Sequence, residues 1–274
     1  MNAKIILITG CSSGIGKATV EHAASRGHTV LASAPAAELL DDIPDQAAAK
    51  YVIDVCDEAS ISHAVASAIE TYGRIDVLIN NAGYCQAGPV ELVSAEKAQR
   101  QFAVNVLGPL AMIRHVTPHM RQAGSGCIIN LSSLMGMMSL PLLGIYSASK
   151  HAVEGFNDSL RMELKDFNID VVLVEPGFIK TNLTATAIEQ SDAGWLQDDS
   201  NPYRELLASS EKKSADIGPI EGQASDVAEV LVKALESRSP KARYKVTAVG
   251  KLLPLIAKIM PAKWLDRLLM QMMT

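Results

Sequence analysis

The chain has 274 residues, 48% hydrophobic and 20% charged, enough apolar surface for one large core and far from the composition of a disordered protein. A formal net charge of −5 without any Lys/Arg block argues against nucleic acid as a partner, because phosphate binding needs clustered cations. Cys11, Cys56, Cys85 and Cys127 are scattered and form no CxxC pair, so free thiols in a reducing, cytoplasmic setting are expected instead of a disulfide framework or zinc site.

Residues 1–9 lead straight into an apolar strand and lack the cleavage pattern of a signal peptide. No apolar run reaches the ~18 residues of a membrane span. Strands are expected at 4–9, 29–32, 51–54, 75–80, 127–132 and 169–175, and helices at 14–27, 58–72, 95–122 and 146–167. Apolar runs without strict alternation suit strands covered on both faces. The β/α alternation predicts a parallel sheet with right-handed crossovers, a doubly wound α/β fold. No linker or repeat divides residues 1–250, which are read as one domain. Within it, 181–222 is long, polar and weakly periodic, as expected of a lid over a site. A helix at 225–237 and a strand at 244–246 precede an apolar C-terminal helical extension, 251–274.

The turn after the first strand reads Thr9-Gly10-Cys11-Ser12-Ser13-Gly14-Ile15-Gly16 and opens the first helix. Glycines there let the backbone approach a pyrophosphate, and the helix N-terminus supplies N–H donors and positive dipole, as in a Rossmann fold. Gly10, Ser12, Ser13, Gly14, Ile15 and Gly16 are therefore candidate cofactor contacts. An acid about 20 positions on would hold the ribose of NAD. Here the second strand ends Ser33-Ala34-Pro35, with no acid before Glu38 and no Arg for a 2′-phosphate. Ser13 and Ser33 could donate to such a phosphate, so NADP(H) is favoured over NAD(H).

Tyr146 and Lys150 lie one helical turn apart on one face. A phenol with a pKa near about 10 is a poor base at neutral pH, and a neighbouring ammonium favours its tyrosinate. With the glycine turn, Asn80-Asn81-Ala82-Gly83, Asn105, Ser133 and Pro176-Gly177, this pair resembles the short-chain dehydrogenase/reductase family, over residues 4–181 and the helix at 225–237. The resemblance implies an NAD(P)-dependent oxidoreductase moving hydride between the nicotinamide and a carbonyl or secondary alcohol. By that resemblance Ser133 holds the substrate oxygen, and Tyr146 gives or takes the proton. Lys150 binds the nicotinamide ribose, and Asn105 anchors a water linking Lys150 to solvent. Asp54, with Val55 beside it, matches the adenine-contacting aspartate. Asn81, Ala82 and Gly83 border the adenosine ribose, and Pro176, Gly177, Ile179 and Thr181 cradle the carboxamide. A sensor that lost turnover would be expected to lack Tyr146 or Lys150, and both are present. An epimerase or dehydratase that recycles bound cofactor is the remaining alternative.

His115 and His119 have a metal-compatible spacing, but no carboxylate or cysteine in the sequence completes a set, and Pro118 is expected to interrupt their helix. No metal is assigned. Met135, Met137, Met138 and Leu140 follow Ser133 and suit an adaptable apolar pocket, favouring a lipophilic or ring-bearing substrate as in steroid- and retinoid-type members. In the tail, Lys251, Lys258, Lys263 and Arg267 interleave with Leu and Ile. That pattern suits packing over the pocket or a homodimer contact, with peripheral membrane contact as the alternative.

Overall fold

The computed structural model describes residues 3–180, 201–216 and 221–273. The chain runs β1 (Ile5–Ile8), α1 (Gly14–Ser25), β2 (Thr29–Ala34), β3 (Ala49–Val52), α2 (Glu58–Tyr72) and β4 (Val77–Asn80). Next come α3 (Ala95–Phe102), a π-helical turn (Ala103–Leu107), α4 (Gly108–Ala123), β5 (Gly126–Leu131), α5 (Gly144–Glu163) and β6 (Ile169–Glu175). The last elements are β7 (Ile179–Lys180), α6 (Arg204–Asp216), β8 (Gly222–Gln223), α7 (Ala224–Glu236), β9 (Arg243–Lys245), α8 (Ala248–Ile259) and α9 (Ala262–Met273).

Seven parallel strands form one sheet in the order β3-β2-β1-β4-β5-β6-β9, the doubly wound α/β arrangement. The order reverses between β1 and β4, so their carboxyl ends open the crevice where such sheets take ligands. Alternation along β1 sorts the two apolar layers. Ile6 and Ile8 face one layer with Val20 and Ala23 of α1 and Val227 and Leu231 of α7. Leu7 faces the other, with Ile61 and Val65 of α2 and Met112 and Val116 of α4. Each such burial is worth ~1.5–3 kcal/mol.

Local chemistry explains most boundaries. Asp57 caps α2 by accepting from the Ala59 N–H at 2.9 Å, and Gly73 ends it in the left-handed region at φ 78°. Two expectations need correction. The helix expected at 95–122 is broken into α3, the π turn and α4, because an extra residue is inserted into the helical ladder around Asn105. Pro118, by contrast, lies inside α4 and does not interrupt it. It sits on the exposed side, where water can satisfy the carbonyl left without a donor. Thr181 and most of the expected lid lie outside the described residues. Leu78 is fully buried at the centre of the sheet. Leu78→Ala should lower the unfolding free energy by ~2–5 kcal/mol, read from the denaturant midpoint at unchanged slope.

Candidate active site

The glycine turn is held open by backbone packing. Gly10 has φ 72° and Gly14 φ 54°, and a Cβ at Gly16 would lie 2.0 Å from the Gly10 carbonyl oxygen. A Cβ at Gly10 would come within 2.9 Å of Ala82 Cα. The turn is therefore pressed against the loop after β4, and a hydrogen-bonded lock keeps it there. Thr9 Oγ1 accepts the N–H groups of Asn81 (3.1 Å) and Ala82 (3.0 Å), while Asn81 Nδ2 donates to the carbonyls of Thr9 (2.9 Å) and Gly10 (2.8 Å). Thr9 was not among the candidates. Its signal was a polar residue closing an otherwise apolar strand. Ser13 precedes α1 in extended conformation and makes no side-chain cap, which leaves the first N–H groups of the helix to a ligand. A cradle that side chains cannot enter, at a helix N-terminus, fits a dinucleotide pyrophosphate.

The other candidate contacts divide. Ser33 is fully buried and donates its hydroxyl to the Ile8 carbonyl at 3.2 Å, which corrects the expectation that it would reach a 2′-phosphate. Asp54 is exposed at the end of β3, and its Oδ1 accepts the Cys56 N–H at 2.9 Å. Val55 turns its side chain inward, so close to Gly108 that a Cβ there would lie 2.7 Å from it. Gly83 lies under Asn105, whose Oδ1 would be 3.1 Å from an added Cβ. The Pro176 carbonyl accepts from the Leu134 N–H at 2.7 Å, and Gly177 abuts Thr247, the N-cap of α8. Ile179 pairs with Gly222 in the short β7–β8 ladder.

Around Tyr146 the structure brings four elements together. Asn105, in the π turn, accepts from the Tyr84 N–H at 3.0 Å and donates to the Tyr84 carbonyl (2.9 Å) and Ser149 Oγ (3.3 Å). It thus ties the loop after β4 to α5, with its own amide group engaged by protein atoms. Ser133 Oγ accepts the Met135 N–H at 3.2 Å. Lys150 Nζ donates to the Leu131 carbonyl at 2.8 Å and sits 5.8 Å from the Tyr146 ring centre. Burial pushes the Tyr146 phenol above its usual pKa, with Cys85 adding to that and Ser133 opposing it. Burial lowers the Lys150 ammonium to about 8, while Cys85 and Glu154 pull the other way. Burial thus keeps the phenol protonated and weakens the neighbouring ammonium, an arrangement in which a proton can pass to a group placed beside them.

Glu154, one turn beyond Lys150, was also missed. Its Oε1 accepts from Ser132 Oγ at 2.5 Å, and its Oε2 pairs with Arg243 Nη1 of β9. The same guanidinium reaches Glu175 Oε1 and Asp158 Oδ2, each at 2.7 Å. One arginine therefore joins α5, the strand leading to Pro176-Gly177 and the sheet edge. The apolar wall is equally composite. Cys85, Leu134, Met135, Met138, Leu140 and Tyr146 cluster with Leu253 of α8 and Leu269 of α9. The Cys85 thiol is pushed up to about 12 by burial and stays neutral. His115 pairs with Glu58, and no metal-binding cluster occurs among the described residues.

A family model described as "short chain dehydrogenase" matches residues 4–192. The chain belongs to the short-chain dehydrogenase/reductase family. It is accordingly an NAD(P)-dependent oxidoreductase acting on a carbonyl/alcohol pair. Among curated relatives of this dehydrogenase, a 3-ketodihydrosphingosine reductase of Bacteroides thetaiotaomicron is 42% identical over 187 residues, 67% of each chain. An NADPH-dependent 3-dehydrocapnine reductase of Ornithobacterium rhinotracheale is 32% identical, over 96% of this chain and 94% of the relative. A short-chain dehydrogenase structure from Streptomyces avermitilis superposes with TM-score 0.79 at 30% identity, covering 97% of this chain and 98% of that one. Another, from Burkholderia phymatum in complex with NAD, gives 0.74 at 28% identity, covering 88% and 89%. No helix among the described residues is long and apolar enough to cross a membrane.

Glu154 raises the Lys150 pKa by its negative charge. Glu154→Gln keeps a hydrogen-bonding partner for Ser132 but removes that charge. The high-pH limb of kcat/KM for ketone reduction should then move to lower pH, by roughly half a pH unit or more. A purely structural loss would lower the rate at every pH alike.

Proposed function

We propose that this enzyme reduces the ketone of a lipophilic, long-chain substrate with NADPH. The observation that carries this reading is the apolar cluster around Tyr146, in which the thioethers of Met135 and Met138 meet Leu253 and Leu269 of the C-terminal helices. A polar substrate would leave those walls facing its own hydrated groups, whereas an alkyl chain gains burial there. Both of the relatives above are named as reductases, one of 3-ketodihydrosphingosine and one of 3-dehydrocapnine. A 3-keto compound of this kind suits the cluster.

In this reading the nicotinamide, when bound, supplies the hydride. The chain's own residues do the rest. Ser133 holds the ketone oxygen and Tyr146 gives it a proton. Lys150 is anchored on the Leu131 carbonyl, where it stabilises the resulting tyrosinate. The preference for NADPH is read from the end of β2, where Pro35-Ala36-Ala37 stands in place of an acid that would repel a 2′-phosphate. The relative named as NADPH-dependent supports it. A homodimer is part of the proposal, supported by Leu107 and Met162, 58% and 65% exposed, on the π turn and on α5 packed beside it. Cysteines that are all free suit a reducing, cytoplasmic setting.

The test is nicotinamide oxidation with 3-ketones of increasing chain length, each with NADPH and NADH. Turnover should rise with chain length and prefer NADPH, and Tyr146→Phe should lose ~10²–10⁴-fold while still binding cofactor. Equal rates with short polar ketones would overturn the substrate class, and equal use of NADH would overturn the cofactor preference.

A further inference from the structure

The inner faces of α8 and α9 are accounted for by the pocket cluster, but their outer faces are not. Leu252, Leu255 and Ile259 on α8 are 61%, 54% and 86% exposed, and Trp264 at the start of α9 is 66% exposed. The first three recur at i, i+3 and i+7 and so form one stripe along α8. Lys251, Lys258, Lys263 and Arg267 are exposed on the same two helices, and Asp266 is the one acid between Ala248 and Met273. Four cations against one acid give these two helices a local charge opposite in sign to the chain's net −5.

We infer that the outer face of α8 and α9 docks on an anionic lipid surface, from which the ketone substrate enters beneath the same helices. The inference rests on the lipophilic-ketone reading for its substrate and on the exposed face for its partner. Charge complementarity selects the occupant. The centre of a protein–protein interface is depleted in Lys, whereas a bilayer surface takes an apolar stripe flanked by Lys and Arg, with Trp at the headgroup level. Geometry links docking to catalysis. Leu253, Leu265 and Leu269 of these helices pack on the cluster that holds Tyr146, so a docked bilayer would lie about one helix diameter, ~10 Å, from the apolar wall of the site. Thr247 caps α8 directly against Gly177, so the docking helices and the nicotinamide-side loop share a contact.

The experiment is co-sedimentation of the full-length protein with vesicles of phosphatidylcholine, with and without phosphatidylglycerol, alongside assays with a water-soluble ketone. Binding should be at least ~tenfold stronger to the anionic vesicles and should weaken as salt is added. Leu252→Glu/Ile259→Glu and, separately, Lys258→Glu/Lys263→Glu should lose that binding while leaving water-soluble turnover unchanged, which shows that they fold. Turnover of a vesicle-borne long-chain ketone should fall with the binding. An active enzyme that binds neither vesicle overturns the docking and leaves the ketone reading standing. So does a dimer-to-monomer change in sedimentation mass for Leu252→Glu/Ile259→Glu, because the face would then belong to a second copy. Vesicle binding without reduction of any ketone would instead defeat the functional reading and keep the docking face.

Discussion

Burying the ammonium of Lys150 is the constraint from which the rest of the site follows. An isolated charge in a protein interior is too costly to keep, so it must be paired or neutralised. Lys150 has the Leu131 carbonyl at 2.8 Å and, one turn away, a carboxylate that raises its pKa. That carboxylate is itself mostly buried and needs its own partners, which are Ser132 and Arg243. Arg243 in turn meets Glu175 and Asp158. The pairing of one buried cation thus extends from α5 across β5 and β6 to the last strand of the sheet. A change at Arg243, far along the chain from Ser132, would be felt at Ser132, next to Ser133, through Glu154.

The cofactor crevice obeys a different constraint, close approach of backbones. Gly10, Gly16 and Ala82 are too near one another for further side-chain atoms. Thr9 and Asn81 supply the bonds that hold them there. The same lock positions the loop that carries Tyr84 and Cys85, and Asn105 clamps that loop from the π turn. The glycine turn and the Tyr146 region are therefore two ends of one hydrogen-bonded frame, built at the point where the sheet reverses its order.

Much of this was legible along the chain. The apolar runs of Ile5–Ile8 and Ile169–Glu175 announce strands buried on both faces, and Asp57 and Gly73 mark the ends of α2 chemically. Ser133, Tyr146 and Lys150 stand out along the chain because Tyr146 and Lys150 lie one turn apart and the roles the resemblance implies for the three need one another. The failures have equally local causes. Ser33 looked available because strand residues alternate, and the sequence does not say which face of β2 looks toward the crevice. Pro118 looked like a break because its exposure to water, which makes it tolerable in α4, is a property of packing. Glu154 lies one turn from Lys150, but its partner Arg243 is 89 residues away, and nothing in the spacing announces that pair.

By itself, then, the order of residues determined the family, the parallel sheet, the glycine turn and the Tyr–Lys pair, since each depends on neighbours within a turn or a strand. Tertiary structure alone decided which long-range partners neutralise the buried charges. It also decided that α8 and α9 close the apolar wall at Tyr146 with one face and leave a cationic, apolar face outside. An amphipathic tail declares that it has two faces. Which of them meets the pocket is settled only where Leu253 and Leu269 find apolar neighbours to exclude water with.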